Sequence, residues 1–158
     1  QPALGVGGHG MVNHEQYMEL ALAEAEAAAA HGEVPVGAVL VHNGIVIAQA
    51  GNTREGDGDA LGHAELTVLR QGCRVLGDWR LVGCTLYVTL EPCPMCAGAM
   101  VNARIDRVVY GAADPAMGCV GSKIHLFDLD FNHRPLVTTG VLAERCTALL
   151  KAFFETKR

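Results

Sequence analysis

The spacing of apolar positions changes several times along the chain, and each change marks an element. Asn13 with Gln16 three residues on resembles a capping box, and the alanine-rich segment that follows has strong helix propensity as far as His31. Gly32 supplies a natural stop. Val36–His42 and Ile45–Gln49 are apolar, β-branched runs joined by Asn43-Gly44, the strongest short hairpin signal. Residues 51–62, rich in glycine and aspartate, read as a loop. His63 to about Val75 predicts a second helix with Leu66, Leu69 and Val75 on its apolar side. Cys84–Leu90 predicts a buried strand, and Pro94 opens a third helix that runs to about Ala103. Arg107–Tyr110 predicts a strand, 111–135 is mostly irregular, and Leu136–Thr139 is a last short strand. Leu142, Cys146, Leu149, Leu150 and Phe153 keep helical spacing in a closing helix.

Strands that alternate with helices after an initial hairpin predict one mixed central sheet covered on both sides: a three-layer α-β-α domain of the α/β class. The length of 158 residues fits one such domain, and a chain that is 50% hydrophobic is not a disordered one. The alanine-rich run Ala21–Ala30 is broken by Glu24 and Glu26, and no stretch reaches the length of a membrane span. Residues 1–10 lack the basic and apolar regions of a secretory signal and are expected to be non-native or disordered. The domain is then residues 11–158, with Met11 a candidate start. Six cysteines without a disulfide framework fit a cytoplasmic location.

Net charge is −5, but it is unevenly distributed. Residues 1–69 hold nine acids against Arg54 alone, whereas residues 70–158 hold eleven bases against eight acids. A basic face built from the later half is compatible with a nucleic-acid partner, although ordinary solvated surface charge is the better reading of the composition alone.

Two segments carry candidate chemistry: His63-Ala64-Glu65, and Pro92-Cys93-Pro94-Met95-Cys96. Both sit where irregular chain hands over to a helix. Cys93 and Cys96 are three apart at a helix start, so both sulfurs can face one way, and the positive helix end favours thiolate. One imidazole and two thiolates are a donor set that zinc prefers. Three protein ligands leave a fourth position for water, the mark of a catalytic site. Zinc lowers the pKa of bound water from 15.7 to about 7 and so offers hydroxide at neutral pH. Attack on an aromatic C–NH2 carbon also needs protons moved, and Glu65 is placed to move them without ligating the metal.

The pattern H-x-E followed by P-C-x-x-C is the signature of zinc nucleobase deaminases. A lone C-x-x-C is often redox-active or half of a four-ligand structural zinc site, but no second pair completes one here. His9, His14, His31, His42 and His125 read as surface or loop residues. Cys73, Cys84, Cys119 and Cys146 read as small hydrophobes. Phe153 and Phe154 can stack on bases, yet their helical spacing favours core packing for at least one of them.

Over about residues 13–157 the chain resembles the bacterial tRNA-specific adenosine deaminases. The resemblance is carried by Glu33-Val-Pro-Val-Gly-Ala-Val-Leu-Val41, Asn52, His63-Ala-Glu65, and Leu86 through Met100 with its Pro-Cys-Pro-Met-Cys core. Arg107-Val-Val-Tyr-Gly111, Gly121-Ser122, Asn132-His133-Arg134 and Leu149-Leu-Lys-Ala-Phe-Phe154 complete it. It implies a cytidine deaminase-like fold, a homodimer, and hydrolysis of the wobble adenosine of a tRNA anticodon to inosine. By the same resemblance His63, Cys93 and Cys96 bind one zinc ion per subunit, and Glu65 is the catalytic proton donor. Asn52 then helps to hold the flipped base, although alone it reads as a turn former. Asp114 and the Asn132-His133-Arg134 segment lie near neighbouring nucleotides. The expected partner is the tRNA anticodon loop, with no DNA and no membrane.

The chain departs from the family just before His63, where Asp59-Ala60-Leu61-Gly62 replaces the common Asp-Pro-Thr-Ala. The ligands are untouched, but a rigid proline and a hydroxyl are lost, which predicts a more mobile loop. Ala113 replaces a basic residue often found beside the matching aspartate, which weakens one expected RNA contact. Two rivals stay open on sequence. A free-base deaminase acting on guanine or cytosine uses the same metal and glutamate. A non-catalytic zinc module that binds RNA keeps the ligands but has no use for Glu65.

Overall fold

The computed structural model describes residues 13–157, so the expectation for residues 1–10 lies outside the described residues. Helix α1 (His14–Ala30) begins at Asn13, whose side-chain oxygen accepts the Gln16 N–H at 3.0 Å. Strands β1 (Gly37–His42) and β2 (Ile45–Gly51) form the predicted hairpin. Asn43 and Gly44 both take positive φ, 50° and 82°, as a tight hairpin turn twisted with its strands requires. A short helix α2 (Arg54–Asp57) stands inside the stretch expected to be loop, followed by α3 (Ala64–Leu76), β3 (Cys84–Leu90) and α4 (Pro94–Asn102). Then come β4 (Arg107–Ala112), a 3-10 turn at Leu126–Asp128, β5 (Leu136–Thr138) and α5 (Ala143–Thr156).

The five strands lie in the order β2-β1-β3-β4-β5. β1 is antiparallel to both β2 and β3, whereas β3, β4 and β5 run parallel, so the sheet is mixed as expected. The two-residue period divides its side chains between two cores. Leu40, Leu86, Val88, Val108 and Tyr110 point toward α3 and α4. Val39, Val41, Tyr87 and Val109 point the other way, toward α1 and α5. The architecture is the three-layer α-β-α sandwich that the cytidine deaminase-like fold implies.

Three sequence expectations are corrected. Val75 is 59% exposed, because the core-facing side of α3 runs through Val68, Leu69 and Gly72 and ends on Leu76. Neither Phe153 nor Phe154 belongs to a core. α5 buries Cys146 alone, and the two rings pack edge to face at a centroid distance of 5.4 Å. His14 is not a free surface residue: its Nδ1 is hydrogen-bonded to the Tyr87 hydroxyl at 2.7 Å beneath α1. Cys84, Cys119 and Cys146 are buried and every cysteine is free, as small hydrophobes should be.

Candidate active site

Because β3 and β4 are parallel, their carboxyl ends open on the same edge of the sheet, where ligand sites of α/β folds form. Helices α3 and α4 start at that edge, with His63 and Cys93 as their N-terminal flanking residues. Pro94 in the first turn of α4 costs no hydrogen bond and fixes the helix start, which holds Cys93 and Cys96 on one side. The fold thus brings together residues 30 and more positions apart. His63 Nδ1 lies 3.7 Å from Cys93 Sγ and 3.5 Å from Cys96 Sγ, and the three ligand atoms all fall within 4.8 Å of one another.

Electrostatics prepare this group for a cation. Cys93 is pushed down to about 4, first by the hydrogen bond from the Cys96 thiol and then by His63, against the opposing effect of burial. Cys96 is correspondingly raised, by that same shared hydrogen bond and by burial. His63 is raised by its hydrogen bond to Cys93, with burial opposing. Two sulfurs and one ring nitrogen crowded at two helix N-termini are a soft donor set that fits a metal such as zinc.

Beside them Glu65, in the first turn of α3, is 4% exposed, and its Oε1 has no hydrogen-bond partner. Such an atom is costly to bury unless something is meant to meet it. Burial pushes the carboxyl up to about 7, while its own backbone N–H and His63 pull it down. His63, Glu65 and Cys93 face a cavity of about 460 Å³, within the usual ~300–1,000 Å³ of small-molecule sites.

Two loops wall that cavity, and each is held by a buried carboxylate that the sequence reading did not single out. Glu33, 4% exposed, accepts the N–H groups of Glu55 at 2.9 Å and Gly56 at 2.6 Å, and so caps α2. Glu91, 2% exposed, accepts from Asp114, Val120 and Ser122 on the opposite loop. The available signal was an acid placed next to long apolar runs: Glu33 before Val34–Val41, and Glu91 closing the strand Cys84–Leu90.

Asn52 and Asp114, expected from the resemblance, both line the cavity. Asn52 Oδ1 accepts the Ala64 N–H at 2.9 Å and so ties the loop to the start of α3. Asp114 Oδ1 accepts the N–H groups of Ala116 and Met117 at 3.0 and 3.1 Å. The Asn132-His133-Arg134 segment does not line the cavity. His133 Nε2 donates to the Ile105 carbonyl at 2.7 Å, Arg134 donates to the Asp128 carbonyl at 3.3 Å, and Asn132 is exposed.

A family profile described as MafB19-like deaminase matches residues 12–158. The tRNA-specific adenosine deaminase of Bacillus subtilis is 52% identical over 149 residues, which covers 94% of this chain and 92% of that one. The chain belongs to the tRNA-specific adenosine deaminase family. A solved structure from work on A-to-I editing by tRNA:A34 deaminases superposes with a TM-score of 0.82 at 47% identity, over 85% of this chain and 98% of that one. The guanine deaminase of Bacillus subtilis is a more distant relative, 32% identical with a TM-score of 0.63 over 91% of this chain and 95% of that one. The fold and the His/Cys/Cys group are what family membership leads one to expect. The turn before His63 is Asp59-Ala60-Leu61-Gly62. Without a proline, it closes through Asp59 Oδ1 accepting the Leu61 N–H at 2.9 Å and the Gly62 carbonyl accepting the Thr53 N–H at 2.9 Å.

Proposed function

We propose that this protein hydrolyses the wobble adenosine of a tRNA anticodon to inosine and ammonia, with Glu65 as the proton shuttle. The observation that carries this reading is the buried Glu65 carboxyl, one oxygen unpaired, beside the His63, Cys93 and Cys96 donors, with Glu65, His63 and Cys93 facing the cavity. Those three residues would hold zinc, one per subunit, and the ion would supply a water that ionises near neutral pH. Everything else falls to the chain. Glu65 accepts a proton as water adds at adenine C6 and delivers it to the ring nitrogen. It then carries the second proton to the departing amine, which leaves as ammonia. A carboxyl near 7 can give and take a proton at the same pH, which is what the two transfers need.

Adenine C6 is out of reach inside a base stack, whereas a loop nucleotide is cheap to splay outward. Asn52 and Asp114 stand on the cavity walls, where they would meet the flipped base and its neighbours. Arg134, Lys151, Lys157 and Arg158 offer the positive charge for phosphates. Affinity for RNA is expected to fall with salt at a log–log slope of about −0.7 per phosphate contacted, as read by titrating a labelled stem-loop.

A homodimer and a cytoplasmic location are part of the same reading. One surface open to a second subunit among the described residues is the groove between α3 and α4, lined by Leu66, Cys73, Trp79 and Ala99. Of the small residues on α4, Ala97 is spent in the core, while Gly98 faces open space.

The deciding assay offers an anticodon stem-loop with adenosine at the wobble position, alongside free adenosine, guanine and cytosine. Inosine in the stem-loop alone is the expected result. Turnover of a free base instead would move the protein to nucleobase salvage, and no turnover with zinc bound would leave a binding module.

A further inference from the structure

Glu91 is a buried charge that no basic side chain among the described residues pairs. It is compensated by donors from a single loop. Oε1 accepts the Asp114 N–H at 3.0 Å and the Ser122 hydroxyl at 2.5 Å. Oε2 accepts the Val120 and Ser122 N–H groups, each at 3.0 Å. Both oxygens are thereby saturated, with no lone pair left over for a ligand. A methyl on Gly118 would lie 2.3 Å from the Glu91 carboxyl carbon, so the loop's backbone rests directly on the carboxylate. Two main-chain bonds run alongside: Glu91 N–H to the Ala112 carbonyl at 2.8 Å, and Cys119 N–H to the Pro92 carbonyl at 2.9 Å.

The loop so gripped is the cavity wall that carries Asp114 and Met117. Its turn hangs from Asp114, whose own N–H is held by Glu91 and whose Oδ1 caps Ala116 and Met117. At the other end Glu91 is two residues from Cys93. One side chain therefore spans from the metal-binding segment to the facing wall.

We propose that Glu91 is a positioning residue for substrate: it sets the place of Asp114 and Met117 relative to the metal-binding segment, and so governs how well the flipped nucleotide and its neighbours are held. This rests on the reading of the cavity as a site for an adenosine within RNA. Glutamine has the right length but the wrong pattern, since its NH2 would face two N–H or O–H donors where an acceptor is required. Aspartate is too short to reach all four donors.

The test compares zinc-loaded wild type, Glu91→Gln and the milder Ser122→Ala, with the anticodon stem-loop as substrate. In Glu91→Gln, KM is expected to rise about tenfold or more while kcat falls less than about threefold. Ser122→Ala should shift KM in the same direction by less, and it remains informative if Glu91→Gln fails to fold. Hydrogen exchange of the amides of Asp114, Val120 and Ser122 should quicken while those of the sheet and the zinc content hold. An unchanged KM with a loosened wall would overturn the proposal. So would zinc loss with kcat falling as much as KM rises, or faster exchange spread evenly over the chain. Wild type separates the two readings: if it makes no inosine, the proposed substrate is wrong, and the exchange pattern alone then judges whether Glu91 holds the wall.

Discussion

The two faces of the sheet meet their helices differently. Toward α1 the contact is backbone against backbone: a methyl on Gly37 of β1 would lie 2.0 Å from the Ala21 carbonyl oxygen and 2.6 Å from the Ala25 nitrogen. Toward α3 the equivalent close approach, at Gly72, meets only the tip of a side chain, Leu40 Cδ2 at 2.3 Å. At that approach on the first face the helix presents small residues, with Ala21 and Ala25 fully buried. The second carries Glu65, Cys93 and Cys96. The fold separates the layer that is hard to deform from the layer that carries the candidate site. A buried carboxyl with one unpartnered oxygen is tolerable because the rest of the sandwich is anchored elsewhere.

The contrast is sharpest in activity. Cys93→Ala should lose the metal, lower stability and abolish turnover, as read by metal analysis and urea melts. Glu65→Gln should keep the metal and the melt while turnover drops by about 10² to 10⁴. Retained zinc in the first variant would remove Cys93 from the ligand set, and retained turnover in the second would remove Glu65 as the shuttle.

A smaller effect tests the packing half. Gly37→Ala drives a methyl into main chain that cannot step aside, so a cost of about 3 kcal/mol or more is expected. Gly72→Ala needs only a rotation of Leu40 and gains roughly 1 kcal/mol of helix propensity, so its net cost should stay near about 1 kcal/mol or below. Equal midpoint shifts in a denaturant titration would erase the distinction between the two faces.

The smallest effect concerns pH on the α1 face. His14 is lowered by burial and then by the charge of Arg107 on β4, with Tyr87 of β3 against its ring and Tyr17 of its own helix packed on Tyr87 in turn. The unfolded chain takes up this proton near pH 6.5 while the folded one resists it. The His14 contribution is therefore complete above about pH 6.5 and is lost progressively as pH falls below it. Wild type should lose more of its urea midpoint between about pH 7 and pH 5 than His14→Gln does. Parallel curves would contradict that role for His14.

How much of this was legible in the sequence depended on whether a signal was local. Asn43-Gly44, Pro94 with Cys93 and Cys96, and the alternation in the strands each act within a few residues, and the structure carries them within two positions of where they were expected. The metal group needed one long-range step, from His63 to Cys93, which the motif pattern supplied. Glu33 and Glu91 showed in the sequence only as acids beside apolar runs, because all but one of their partners are backbone N–H groups, which every residue has and no sequence marks. Val75 was misplaced because the stripe on α3 shifts to Leu76 in its final turn. Helix α2 is a single turn that depends on Glu33 for its cap, so nothing in Arg54–Asp57 alone announces it.

The contact between Gly118 and Glu91 also limits how this chain can change. Gly118 does not need glycine for a left-handed backbone; it needs it because the carboxylate occupies the space a Cβ would take. The two positions therefore cannot drift independently. Any side chain at 118 must be matched by a shorter one at 91, and a shorter one at 91 releases the donors of Asp114, Val120 and Ser122. Two residues 27 apart in the chain therefore behave as one unit of variation, and reshaping this wall starts with changing them as a pair.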